Sequence, residues 1–491
     1  MVTFPLRHST IFGNTSRRGN DCFSAVASST RFFGSVSWTD IIDTLRVFLS
    51  HRTRAIASMS RRTKNRSKVA ETSKPRLLAI LGPGLVTGAA DDDPSGIATY
   101  SQAGAKFGFS LGWTLILTYP LMVAIQSISA RIGRTTGLGI AGNVLRHYPK
   151  WLLQGLVAAL TFANVCNIGA DLGAMAEASR LLIPLVPSWV LICVFAMVCA
   201  GGQIFMHHKR YVSALKWLTL SLFTYFAVLC VVHVDWLQFF AGLIWPRLTL
   251  SKQFWLMVAA ILGTTISPYL FFWQAAQEVE DTKTEPIREP LLDRPAQGAN
   301  ALARIRLDTV MGMAISNLVA LAIMATTAAT LHASNVTEIE SAAQAAEALR
   351  PLAGPFAFSL FSLGIVGTGL LAIPVLAGSA AYALGEARRW PVGLSRQPKQ
   401  AKAFYGTIAV ATLIGAVANA LKVSPIKALV WSAVLNAIAA APIMVLLMQM
   451  ATNPTVMGKF TISRRSRAVG WFATLVMGVA SLGFVISLGF S

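Results

Sequence analysis

Three consecutive carboxylates, Asp91, Asp92 and Asp93, stand inside a run of otherwise apolar or small residues, and Pro94, Ser95 and Gly96 follow them directly. A charged Asp near the centre of a membrane helix costs about 2.5–3.5 kcal/mol on insertion scales, so these side chains must face protein, water or a bound cation rather than lipid. Pro94 removes a backbone donor and clashes with the preceding turn, and Ser95 and Gly96 add a flexible pair, so the spacing predicts a helix break over residues 93–96. A break exposes carbonyl oxygens beside a carboxylate, an oxygen-rich arrangement that suits hard cations. Asp93, Ala90 and Gly96 are the candidate ligand positions in this run.

Five predicted spans later, the run from Ile261 to Gln274 repeats the pattern, with Gly263 and Pro268 interrupting an apolar stretch that also carries Thr264 and Ser267. Because five is odd, a repeat of spans 1–5 in spans 6–10 is inverted across the membrane. Gly/Pro-broken helices at corresponding positions of two such halves point to a site near the bilayer midplane.

The frame that positions these residues is helical and lipid-embedded. Of 491 residues, 54% are hydrophobic and 13% charged, and the mean hydropathy is +0.57; soluble domains carry about 25% charged residues. Stretches of roughly 20 apolar residues, enough to cross a core of about 30 Å, recur from Leu77 onward. About eleven are predicted, at 77–107, 111–131, 151–178, 187–206, 211–234, 254–278, 307–332, 355–385, 403–422, 426–449 and 468–490. Barrel strands would be about 10 residues long and alternating. The expected class is therefore an all-α membrane protein, with 77–234 and 254–449 as the two repeats and 468–490 as a peripheral span.

The formal charge of +21 is distributed as a topology signal, which explains the basic balance without nucleic acid. Placing the N-terminus in the cytoplasm gives that side Arg131, Arg134, Lys209, Arg210, Arg388, Arg389, Lys459 and Arg464, while the other side holds few basic residues beside Glu338, Glu340 and Glu347. Residues 1–76 are Ser-, Arg- and Thr-rich with few acids; a disordered tail, an organellar leader and translation from Met59 are all compatible with that composition. Cys22, Cys166, Cys193, Cys199 and Cys230 show no C-x-x-C pairing and read as small buried residues. The pair His207-His208 sits in a short basic loop and reads as a topology anchor.

At the two breaks the sequence resembles the Nramp family of divalent-metal transporters. That family carries Asp-Pro-Gly-Asn in its first helix and Ala-x-x-Met-Pro-His in its sixth. The matching residues here are Asp93-Pro94-Ser95-Gly96 and Thr264-x-x-Ser267-Pro268-Tyr269. Leu81-Gly-Pro-Gly84, Gln102-Ala-Gly104 and Ala170-Asp171-Leu172 extend the likeness, which covers about residues 75–450. The resemblance implies a LeuT-type inverted repeat with alternating access, metal ion as cargo rather than cofactor, and a bacterial inner-membrane location.

The departures carry information as well. The family's Asn ligand is Gly96, its Met is Ser267 and its Ala is Thr264, so hydroxyl oxygens stand where a thioether and a methyl would, and preference shifts toward harder cations. The family's Asp-Leu-Ala-Glu reads Asp171-Leu-Gly-Ala174 and its His is Tyr269, which leaves its proton relay incomplete; Asp91, Asp92 and Asp171 are the groups available to replace it. Asn436 in the tenth span is either an ion ligand or a helix–helix hydrogen bonder. Gln274 either lines a vestibule or belongs to a polar helix end. An intramembrane aspartyl protease would pair Asp93 with Asp171 but lacks its Gly-x-Gly-Asp motif, and a channel would show filter loops or acidic rings.

Overall fold

The computed structural model describes residues 87–88, 90–205, 223–249, 251–285, 287–421 and 423–489, all within the unit Arg76–Ser491. The predicted tail, residues 77–86 at the start of the predicted first span, His207-His208 and residues 211–222 of the predicted fifth span lie outside the described residues. Every regular element among the described residues is helical. The main helices are α1 (Pro94–Phe107), α2 (Gly112–Thr136), α3 (Lys150–Arg180), α4 (Ser188–Phe205), α5 (Lys252–Thr265), α6 (Pro268–Thr284), α7 (Gly298–Thr330), α8 (Ala357–Arg388), α9 (Lys402–Ala418), α10 (Pro425–Thr452) and α11 (Arg464–Gly489).

Nine described stretches are long and apolar enough to cross a membrane, and one of them, Pro94–Thr136, contains both α1 and the whole second span. Among the described residues, the predicted fifth span is the one without a counterpart of that length, with Thr224–Val231 its described helical part. Side chains such as Met197, Leu413, Val417, Leu475 and Leu482 are exposed on the outer faces of these helices, as a lipid solvent permits. A helix absent from the sequence-based expectation, Trp236–Ile244, begins at Asp235, whose carboxylate accepts from Gln238 N at 3.0 Å.

The inverted repeat is visible in which helices pack. α1, the half that follows the first break, lies against α7; α6, the half that follows the second, lies against α2. Exchanging spans 1 with 6 and 2 with 7 turns one pair into the other. Both contacts are close enough to need glycine. A methyl group at Gly104 would sit 2.2 Å from the Met324 carbonyl of α7, and one at Gly133 of α2 would sit 2.3 Å from the Ala275 carbonyl of α6. Small residues serve membrane helices in this way because backbones can then approach.

The breaks themselves differ in detail from the expectation. Helical structure ends by Asp91 and resumes at Pro94, so the interruption is at Asp92–Asp93 and Ser95 lies inside the first turn of α1. Proline has no N–H to lose at the first helical position, so it starts the second half rather than lying within the gap. In the sixth span the gap is Ile266–Ser267, and Pro268 again starts the new helix. Gly263 is not part of the break. It lies within α5, where an added Cβ would fall 1.9 Å from the Ala433 carbonyl of α10. Gly263→Ala should therefore force α5 and α10 apart and lower stability by about 1–3 kcal/mol, read as a lower unfolding midpoint in detergent; an unchanged midpoint would show that the two helices slide freely.

Candidate cation site

Asp93 caps α1. Its Oδ1 accepts from Gly96 N at 2.8 Å and from Ser95 Oγ at 2.6 Å, so the residue that ends the gap also organises the next turn. Its Oδ2 faces away from that turn and accepts from Asn167 Nδ2 of α3 at 3.0 Å. The hydroxyl of Tyr269, in the first turn of α6, donates to the Ala90 carbonyl at 3.0 Å and stands 3.4 Å from Asp93 Oδ2. The two breaks thus meet through one side chain.

Thr264 approaches from the other half. Its hydroxyl would be 3.1 Å from a Cβ added at Gly96, with the Asp91 carbonyl 3.4 Å from the same point. The hydroxyls of Tyr100 and Thr264 are neighbours, but neither completes a hydrogen bond among the described residues. Ser267 fills a different role in this geometry. Its hydroxyl donates to the Gly263 and Thr264 carbonyls at 2.7 and 2.9 Å, closing the last turn of α5, while its oxygen retains lone pairs.

The remaining acids spread outward from Asp93. A single hydroxyl, Ser316 Oγ of α7, lies 2.6 Å from Asp91 Oδ2 and 3.1 Å from Asp92 Oδ1. Asp171 lies one turn beyond Asn167 on α3, within electrostatic reach of Asp93, and neither of its carboxylate oxygens has a hydrogen-bond partner among the described residues. Asp91, Asp93 and Asp171 are at most 1% exposed and Asp92 5%. No Lys or Arg among the described residues pairs with any of the four. Buried anions with no countercharge are costly, so they need cations or protons.

A profile of the Natural resistance-associated macrophage protein-like family matches residues 84–487. The chain belongs to the Nramp family. It is 27% identical over 426 residues to the divalent metal cation transporter MntH of Klebsiella pneumoniae subsp. pneumoniae, covering 83% of this chain and 94% of that protein. With the MntH of Deinococcus radiodurans it shares 25% identity over 428 residues, covering 84% and 90%. The crystal structure of the Eremococcus coleocola manganese transporter, in complex with an aromatic bis-isothiourea substituted compound, superposes with a TM-score of 0.67 at 16% identity, covering 87% and 90% of the two chains. That last likeness is one of fold.

Placed on this Nramp fold, the sequence candidates divide. Asp93, Ala90, Gly96 and Thr264 converge at the two breaks, with Ser267 at the second of them. Asn436 is fully buried in α10, and neither its amide oxygen nor its nitrogen is hydrogen-bonded among the described residues. Gln274 is 1% exposed and donates to Thr309 Oγ1 of α7 at 2.9 Å, which ties α6 to α7. Sequence reasoning missed Asn167, Ser316 and Ser432, the last of which touches Asn167. Asn167 precedes Asp171 by one helical turn, so the i, i+4 spacing of two polar residues in an apolar span was the available signal.

Proposed function

We propose that this chain is a secondary transporter of divalent metal cations that works by alternating access around Asp93, in a bacterial inner membrane with its N-terminus in the cytoplasm. The observation that carries the reading is the convergence of a buried carboxylate, Asp93, with the freed Ala90 carbonyl and the Thr264 hydroxyl at two facing helix breaks. The named activity of the MntH relatives, divalent metal cation transport, supports it. The all-oxygen character of these groups, with Ser267 where the family motif has Met, favours harder cations such as magnesium and manganese over cadmium. Proton movement is a second reading, favoured by Asp171: a buried carboxylate with no hydrogen-bond partner or countercharge among the described residues is a group that can carry a proton inward with the metal.

Purified protein in liposomes tests both readings, with magnesium, manganese, iron and cadmium as cargo and a pH-sensitive dye inside. Saturable magnesium and manganese influx is expected; no influx of any divalent ion would overturn the function, and influx without internal acidification would overturn coupling alone. Ser267→Met should raise the cadmium-to-magnesium flux ratio by about tenfold, the factor that about 1.4 kcal/mol represents. An unaltered ratio would refute the role given to ligand hardness.

A further inference from the structure

Asp93 has only one oxygen to offer a cation. Oδ1 is held by Gly96 N and Ser95 Oγ, so only Oδ2 remains, and Oδ2 faces the Asn167 amide nitrogen at 3.0 Å. A cation arriving there meets an N–H, which carries positive polarity on its outer side. The carboxamide that bears this N–H also bears an oxygen of similar size, and a half-turn about its last bond exchanges the two.

Ser432 of α10 makes that half-turn inexpensive. Its Oγ lies 2.6 Å from Asn167 Oδ1 and 2.7 Å from its own helix's Leu429 carbonyl. A hydroxyl has one hydrogen and two lone pairs, so it cannot serve both acceptors fully. With the amide turned, Asn167 Nδ2 donates to Ser432 Oγ and the Ser432 hydrogen passes to Leu429 O. All three groups are then satisfied, and Asn167 Oδ1 stands beside Asp93 Oδ2. Asn167 is 0% exposed and Ser432 2%, so water does not supply an alternative partner from bulk.

We propose that Asn167 is a ligand of the transported cation, turning its amide from N–H toward Asp93 in the empty site to C=O toward the metal in the loaded one, with Ser432 as the receiver of the turned nitrogen. This rests on the reading of Asp93 as the cation's carboxylate. It accounts for the loss of the family motif's Asn at Gly96, where the Thr264 hydroxyl stands 3.1 Å from the position of a Cβ. The amide oxygen comes from α3 on the far side of the carboxylate instead of from α1. Oxygen from an amide is a hard donor, in keeping with magnesium or manganese as cargo.

The full-length chain in detergent, titrated calorimetrically with magnesium and with manganese, tests this. Asn167→Ala should weaken magnesium binding by about 10–100-fold, the usual loss when a group supporting a metal site is removed. Ser432→Ala should weaken it in the same direction, because the turned nitrogen loses its acceptor; unchanged magnesium affinity in Ser432→Ala would overturn the proposal even if Asn167→Ala fails to fold. Adding Gly96→Asn with Thr264→Ala to Asn167→Ala should restore affinity by returning an amide to α1. Wild-type magnesium affinity in Asn167→Ala, while Asp93→Asn has lost it, would reject the amide ligand and keep the Asp93 reading. Wild-type affinity in Asp93→Asn would reject both.

Discussion

Asp93→Asn should abolish most divalent-metal uptake while leaving the fold intact. The substitution conserves volume, and an Asn oxygen can accept from Gly96 N and Ser95 Oγ as the Asp oxygen does, so the cap on α1 survives. What disappears is the negative charge at the junction of the two breaks. Removing one member of a buried charge pair costs about 2–5 kcal/mol, and at about 1.4 kcal/mol per tenfold change that lowers cation affinity by roughly 1.5 to 3.5 orders of magnitude. The check is paired: flux in liposomes and the unfolding midpoint in detergent. Uptake at the wild-type rate would remove Asp93 from the site, whereas lost uptake with a lowered midpoint would point to a folding defect instead.

Glu278→Gln should be the most destabilising single change at the other end of α6. Glu278 is 1% exposed and pairs with Arg304 Nη2 of α7 at 2.5 Å. Gln274, one turn earlier, makes the rung to Thr309 that was described above, so two successive turns of α6 are stitched to α7. The Arg134 guanidinium of α2 lies close to this pair, with Nη2 on the Gln297 side chain at 2.8 Å and Nε and Nη1 without partners among the described residues. Neutralising Glu278 leaves two guanidinium groups, Arg304 and Arg134, without the charge of this acid. Breaking a buried pair from one side typically costs about 3–5 kcal/mol, whereas replacing both members with apolar residues is often neutral. The midpoint of thermal unfolding should therefore fall sharply in Glu278→Gln and recover in part in Glu278→Met/Arg304→Met, where Arg134 alone remains without the acid. Equal midpoints for Glu278→Gln and the parent would show that the pair is solvated.

The span pattern was legible because lipid leaves so few choices. A run of apolar residues must be helical there, and an acid or proline inside the run is conspicuous. That logic located both interruptions and the inverted relation of the halves. It misplaced Gly263, because glycine in a membrane helix serves either a gap or a close contact, and only the Ala433 carbonyl across from it decides which. The proline positions misled by a residue or two for a related reason: Pro94 and Pro268 are read as breakers when their fixed φ also makes them good first residues. Ser432 gave no signal, and Asn167 gave only its one-turn spacing to Asp171, for a different reason. They lie far from the Asp-Pro motif in the chain, and a lone Asn or Ser in a span says nothing about which helix it will meet. Ser316 likewise gains meaning only once α7 brings it to Asp91 and Asp92.

On the proposed reading of Asp93 as the cargo's carboxylate, the way α1 begins sets how tightly the cargo is gripped. The first turn of a helix presents the positive end of its dipole, and Asp93 sits on that end, its charge drawn down by the two local donors Gly96 N and Ser95 Oγ. Such a carboxylate pulls less hard on a divalent ion than a bare one in a pocket would. A storage protein would suffer from that dilution; a carrier profits from it, since each cycle ends only when the passenger lets go.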